Sequence, residues 1–133
     1  MKEQQNIALI ESMFEAFAQG DVPSLLGMMA SDTVWIAEGP SSIPYCGEHH
    51  GTEGVIEFLT AMGSTLDNPK VISTHWAATG DVVSNSGRFS AAVKATGKSF
   101  DVPVAHIFEV RDGKVAKFID IFDSAAIAAA YQG

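Results

Sequence analysis

Three tight turns constrain this chain more than anything else in it. Gly80-Asp81, Thr96-Gly97 and Asp112-Gly113 divide the segment from residue 70 to residue 122 into "KVISTHWAAT", "VVSNSGRFSAAVKA", "KSFDVPVAHIFEV" and "KVAKFIDIF". Each piece is rich in β-branched and aromatic residues, and connections this short join antiparallel neighbours. The second half of the chain therefore reads as a four-stranded meander. A sheet with one apolar face needs a cover, and the first half supplies it.

Ile7, Ile10, Met13, Phe14 and Phe17 recur in steps of three and four, the mark of an amphipathic helix, with Gly20 as its end. Asp21 then caps a second, short helix that has Pro23 in its first turn and Leu25, Leu26, Met28 and Met29 as its apolar residues. "TVWIA" (33–37) reads as a short strand. The stretch 38–51, with three glycines and two prolines, reads as a loop. A third helix is expected from about Thr52 to Met62, with Val55, Phe58 and Leu59 on one side. The tail "DSAAIAAAYQ" suits a closing helix or a strand end. The expected fold is α+β, a strongly bent, cone-shaped antiparallel sheet wrapped around N-terminal helices and enclosing an apolar pocket. At 133 residues, the whole of 1–133 is expected to be a single domain.

The last hairpin, "AHIFEVRDGKVAKFID" (105–120), carries two polar residues, His106 and Asp120, where core residues would stand. A two-residue loop would pair 106 with 119 and turn Asp120 away. A three-residue loop, Arg111-Asp112-Gly113, pairs His106 with Phe118 and Val104 with Asp120. It also gathers Val104, His106, Phe108, Ala116, Phe118, Asp120 and Phe122 on one face. That sorting is cleaner, so the three-residue register is expected, with His106 and Asp120 as diagonal neighbours. Burial disfavours the charged form of any carboxylate, and a carboxylate so tuned suits proton transfer near neutral pH. Asp120 would take or give the proton beside a carbonyl, and His106 would stabilise the oxyanion. A hydrogen-bonded buried pair without chemistry fits the same residues, and the pattern leaves both readings open.

Composition removes other classes. With 8 Lys+Arg against 16 Asp+Glu and no basic cluster, neither nucleic acid nor an anionic membrane surface is an expected partner. The single cysteine, Cys46, allows no internal disulfide and has no activating neighbour. The N-terminus lacks the apolar run of a signal peptide and no segment approaches the ~20 apolar residues of a membrane span, so a cytoplasmic location is expected. Glycine-rich phosphate loops are absent, and no cofactor is called for. "GEHHG" sets Glu48, His49 and His50 together, but without an HxH or HxxxH spacing no metal site is expected. Trp35 is a candidate for the cavity wall or the core, and Tyr45 for a hydrogen-bond donor at the pocket mouth. Of His75 and Trp76 at most one faces the cavity, with Trp76 suited to a subunit interface. Arg88 is read as a sheet-surface residue.

Taken in order, "FEAFAQGDVPSLLGMMASDTVWI", "YCGEHHGTEGVIEFL" and "VAHIFEVRDGKVAKFIDIFD" resemble the SnoaL-like polyketide cyclases. These belong to the nuclear-transport-factor-2-like superfamily, which also holds the ketosteroid isomerases. The resemblance implies a cystatin-like cone with Asp120 as general acid/base, His106 in the same cavity, and Trp35, Tyr45, Phe58, Val104 and Phe118 around a small hydrophobic substrate. It also implies a homodimer through the outer face of the sheet. The isomerase pattern fits less well: Phe14 or Phe17 stands where a tyrosine donor is expected, and only Glu38 lies near the place of the base. This fold also hosts non-catalytic binders of hydrophobic ligands or proteins.

Overall fold

The computed structural model describes residues 2–133, which run α1 (Lys2–Gln19), α2 (Val22–Gly27), β1 (Met29–Ala37), β2 (Gly47–His50), α3 (Gly51–Thr65), β3 (Leu66–Thr79), β4 (Val82–Val93), β5 (Ser99–Arg111), β6 (Lys114–Phe122) and α4 (Ser124–Tyr131). The expected meander is β3–β6, and the six-stranded sheet has the order β2-β1-β6-β5-β4-β3. This is the α+β architecture, an open curved sheet with the helices against its inner face. One expectation needs correcting: β1 pairs with β6 in parallel, so the sheet is not wholly antiparallel. No tight turn connects these two strands, and nothing local fixes their relative direction.

Several boundaries move. The second helix stops at Gly27, and Met29 already pairs with Val115, so the first strand begins four residues before Thr33. The 38–51 segment is not all loop, because Gly47–His50 adds to the edge beside Val34–Ala37. Three of those four residues are exposed, so backbone pairing alone makes this strand and no apolar alternation announces it. The third helix extends to Gly51–Thr65, and the meander starts at Leu66 rather than residue 70. The tail closes as a helix because the Asp123 carboxylate accepts from the Ala126 amide at 3.1 Å. Among the described residues, no helix is long and apolar enough to cross a membrane.

The bend that makes the hollow has a visible cause. Ser73 pairs with Gly87 and His75 with Ser86, which leaves Thr74 as an extra residue in β3. Opposite it, a Cβ on Gly87 would lie 1.8 Å from the Ile72 carbonyl oxygen, so the two backbones meet where only glycine fits. Past the bulge Trp76 faces inward, its ring edge-on to Phe14 of α1 at 6.3 Å, while His75 is exposed. The interface role expected for Trp76 is therefore wrong; its side chain packs under the helix.

The final hairpin also departs from the expected register. Asp112 and Gly113 both have positive φ (51° and 73°), forming a two-residue turn with Arg111 opposite Lys114. A bulge at Ala116 then shifts the pairing, so that Phe108 meets Phe118 and His106 meets Asp120. Val104 faces Phe122 instead of Asp120. Beyond the bulge Phe118, Asp120 and Phe122 keep the face expected of them, while before it Val115 turns inward opposite Val110; the shift brings His106 and Asp120 directly opposite each other rather than diagonal.

Candidate active site

Asn85 on β4 pairs with His106 on β5, which pairs with Asp120 on β6. Three polar side chains thus stand in one row on the concave face of the sheet. All are buried, at 5%, 4% and 7% exposure. His106 Nδ1 lies 2.8 Å from Asn85 Oδ1, and Asn85 Nδ2 donates to Ser73 Oγ at 3.0 Å. With the amide oriented this way, Nδ1 carries a proton and only Nε2 is left to face the cavity. Nε2 is 3.4 Å from Asp120 Oδ1. That is longer than an ordinary hydrogen bond, and among the described residues no other side chain bonds the carboxylate. Asp120 is therefore a buried acid with one loosely placed partner, an arrangement more common at working sites than in cores.

Asn85 was not singled out from sequence. Its signal was there: "VVSNSGRFS" alternates, and Val83, Asn85 and Phe89 all point inward. Replacing Asn85 by Ala removes the acceptor for a buried N–H. The expected cost is about 1–3 kcal/mol by urea denaturation. His106 should also lose its single tautomer, which nitrogen-15 NMR of the ring reads directly.

His106 and Asp120 open on a cavity of about 40 Å³, counted as the space available to the centre of a water molecule. Trp35, Phe58 and Phe118 wall it on one side, with ring centroids 4.8–6.4 Å apart. Phe14 closes on His106 from α1 at 5.3 Å and brings no hydroxyl to the site. Trp35 Nε1, in a residue lining the cavity, is a buried donor without a partner among the described residues.

The remaining expected residues divide. Trp35, Phe58 and Phe118 line the cavity. Val104 is buried but lies outside the lining, one pair of residues along the strand from His106. Tyr45 is not at the pocket mouth: it is fully buried behind the wall, against Phe58 at 5.4 Å and Phe122 at 6.0 Å. Glu38 is exposed and contributes a backbone N–H to the Asp120 carbonyl, with no acid at the cavity. His49 bonds the Tyr45 carbonyl at 2.8 Å, while His50 sits by Glu48 at the surface, so the two histidines serve separate contacts. Arg88 pairs with Asp101 on the outer face, as a sheet-surface residue.

Burial, aided by the negative charge of Asp120, pushes the Cys46 thiol up to about 12. The same two causes raise the buried Tyr45 hydroxyl far above its usual range. Native Cys46 is expected to resist a disulfide reagent near pH 8 and to react at once in concentrated guanidinium chloride. Since an unfolded thiol ionises near 9.0 and the folded one near 12, the unfolded state loses a proton first. Stability held below that window should fall as pH rises through it, and Cys46→Ala should flatten the fall.

The profile of the SnoaL-like domain matches residues 10–118, a span that includes His106 and ends two residues before Asp120. Among solved structures, a nuclear-transport-factor-2-like protein from Burkholderia xenovorans LB400 is 26% identical, with a TM-score of 0.87 over 99% of both chains. TerC, co-crystallised with polyporic acid, is 24% identical, with a TM-score of 0.88 over 97% of this chain and 99% of that one. A Jannaschia sp. CCS1 protein provisionally named a SnoaL-like polyketide cyclase is 21% identical, with a TM-score of 0.85 over 98% of this chain and 93% of that one. A search of the curated proteins gives no match. Matched by that profile over most of its length, the chain belongs to the SnoaL-like domain family.

Proposed function

We propose that this chain is an acid/base enzyme needing no cofactor, which moves a proton next to the carbonyl of a small hydrophobic or aromatic substrate. The observation that carries the reading is the buried Asp120 carboxylate, open to an apolar cavity and, among the described residues, met by no side-chain partner but His106 Nε2 at 3.4 Å. In the proposed step His106 is held through Nδ1–H on Asn85 and turns Nε2–H to the substrate. An Asp120 oxygen takes a proton from the carbon beside the carbonyl, and the electron pair moves to the carbonyl oxygen. His106 Nε2–H donates to that oxygen as it becomes negative. Returning the proton to another carbon isomerises the substrate; attack of the enolate on a second carbonyl of the same molecule closes a ring. The name given to the Jannaschia protein supports the second outcome.

One observation favours a different reading, a binding module without chemistry. The cavity, at about 40 Å³, is walled closely by aromatic rings. Proton NMR in D2O separates the two, by following exchange of the methyl protons in a panel of small aryl methyl ketones. Exchange at least ~100-fold above buffer supports the enzyme, since a positioned acid or base contributes about that much or more. Binding without exchange supports the module.

The reading includes a homodimer formed through the outer face of the sheet. Ile72, Val82 and Ile121 there are exposed at 51%, 42% and 42%.

A further inference from the structure

We propose that substrate reaches Asp120 through an apolar vestibule between α1, α2 and α3, and that Phe17, Leu25 and Met62 form a gate setting how long a substrate the site accepts. The inference rests on the reading of the cavity as a ligand site and adds the substrate's shape and its route. A second hollow of about 230 Å³ lies beside the first, bordered by Leu59, Gly63 and Pro69 among others. Phe17, Leu25 and Met62 line both hollows, so these three side chains are the wall between them.

Size makes the wall matter. A cavity that takes up benzene measures ~150 Å³, so the inner chamber, at about 40 Å³, does not hold an aromatic ring until part of its wall moves. The two sides of the chamber differ in how readily they move. Trp35 and Phe118 stand on paired strands and lock edge-on to each other at 4.8 Å, with Phe58 of α3 against both. The gate residues stand on helices and not on paired strands, although Leu25 and Met62 are themselves closely packed at 2% and 4% exposure. Phe17 is half-buried in the last turn of α1, three residues before the chain reverses at Gly20. Leu25 belongs to a six-residue helix whose N-terminus is held by the Asp21 cap. Met62 is an unbranched thioether that changes rotamer at little cost. Opening this side joins the small chamber to the large one.

The joined space has its polar groups at one end. His106 and Asp120 lie in the inner chamber, and the outer chamber carries one charged residue, Asp21, whose carboxylate is occupied with Ser24. The substrate class that fits is an uncharged, elongated molecule: a carbonyl head at Asp120 and an apolar tail running out between the helices.

Gly63 offers a plug. It lines the vestibule in the last turn of α3, is exposed, and a Cβ there meets nothing within 4 Å. Replacing a helical glycine also favours the helix, so Gly63→Phe should fold at least as well as the parent. The probes are acetophenone and its para-alkyl derivatives up to butyl, with binding read by quenching of tryptophan fluorescence, since Trp35 lines the inner chamber. In the parent protein each added methylene should tighten binding by about fourfold. In Gly63→Phe the butyl ketone should bind at least ~10-fold more weakly than to the parent, with acetophenone unchanged. Phe17→Ala, which thins the wall itself, should speed association of acetophenone at least ~5-fold in stopped flow. A flat series in the parent, or the same slope in parent and Gly63→Phe, would overturn the proposal, as would an unchanged association rate in Phe17→Ala. All three readouts are binding and can be repeated with Asp120→Asn, so a protein that binds the series without exchanging protons would sink the enzyme and keep the gate.

Discussion

Gly87→Ala is expected to lose more than ~4 kcal/mol in urea denaturation, or to yield no folded protein, against the ~5–15 kcal/mol typical of a domain. The new Cβ would lie 1.8 Å from the Ile72 carbonyl oxygen, 2.8 Å from its carbon and 2.9 Å from the Ser73 Cα. Every one of those atoms is backbone, so no rotamer relieves the clash. Gly87 does not have positive φ, which makes space alone the objection. To accommodate a methyl group, β3 must retreat by more than an ångström where it pairs with β4 on both sides of the Thr74 bulge. The damage would reach the site as well, because Ser73 holds the Asn85 amide and Asn85 holds His106. Gly63→Ala is the control: it meets nothing within 4 Å and should cost nothing. A Gly87→Ala protein that unfolds within ~1 kcal/mol of the parent would mean the bend is soft, and that the hollow is not fixed by this contact.

Asp120→Asn is expected to cut ketone proton exchange by about 10²–10⁴-fold, the usual contribution of a positioned general base. An amide of the same shape keeps a hydrogen-bonding group opposite His106 but takes no proton from carbon. Tight binding of the ketone should persist, because the aromatic wall and the helical side of the cavity do not involve the carboxylate. The loss would therefore fall on turnover and not on affinity, the signature of an interaction made in the transition state. Exchange retained within a few-fold would move the chemistry away from Asp120 and leave the binding reading in possession.

The architecture was legible from punctuation and period. Gly80-Asp81, Thr96-Gly97 and Asp112-Gly113 mark the turns of the meander, and the 3- and 4-residue steps from Ile7 to Phe17 mark the helix that covers it. His106 and Asp120 were placed on one face by the same alternation, and that survived an incorrect register. The error is instructive. Asp112 adopts positive φ, allowing a two-residue turn, and the Ala116 bulge restores the parity that such a turn breaks. A turn and a bulge that compensate leave the pattern beyond the bulge unaltered, and only Val115, buried opposite Val110, distinguishes them from a single longer loop. Asn85 escaped for a different reason: its partner His106 is 21 residues away across the Thr96-Gly97 turn, and its role appears only once β4 is laid against β5. Tyr45 was misplaced because a segment rich in glycine and proline reads as surface, whereas Ile43 and Tyr45 fold back into the core. The parallel contact of β1 with β6 and the edge strand Gly47–His50 leave no local mark at all.

The central claim is that Asp120 is a poorly partnered buried carboxylate kept for its work on a ligand and not for the fold. The most direct test compares urea midpoints of the parent and Asp120→Asn near pH 7, with an unchanged m-value as the check on two-state unfolding. The Asn protein should be equally stable or more stable, since a neutral amide escapes the desolvation penalty and its oxygen can still accept from His106 Nε2–H. A loss greater than ~2 kcal/mol would contradict it, because Asp120 would then be holding His106 as part of the structure.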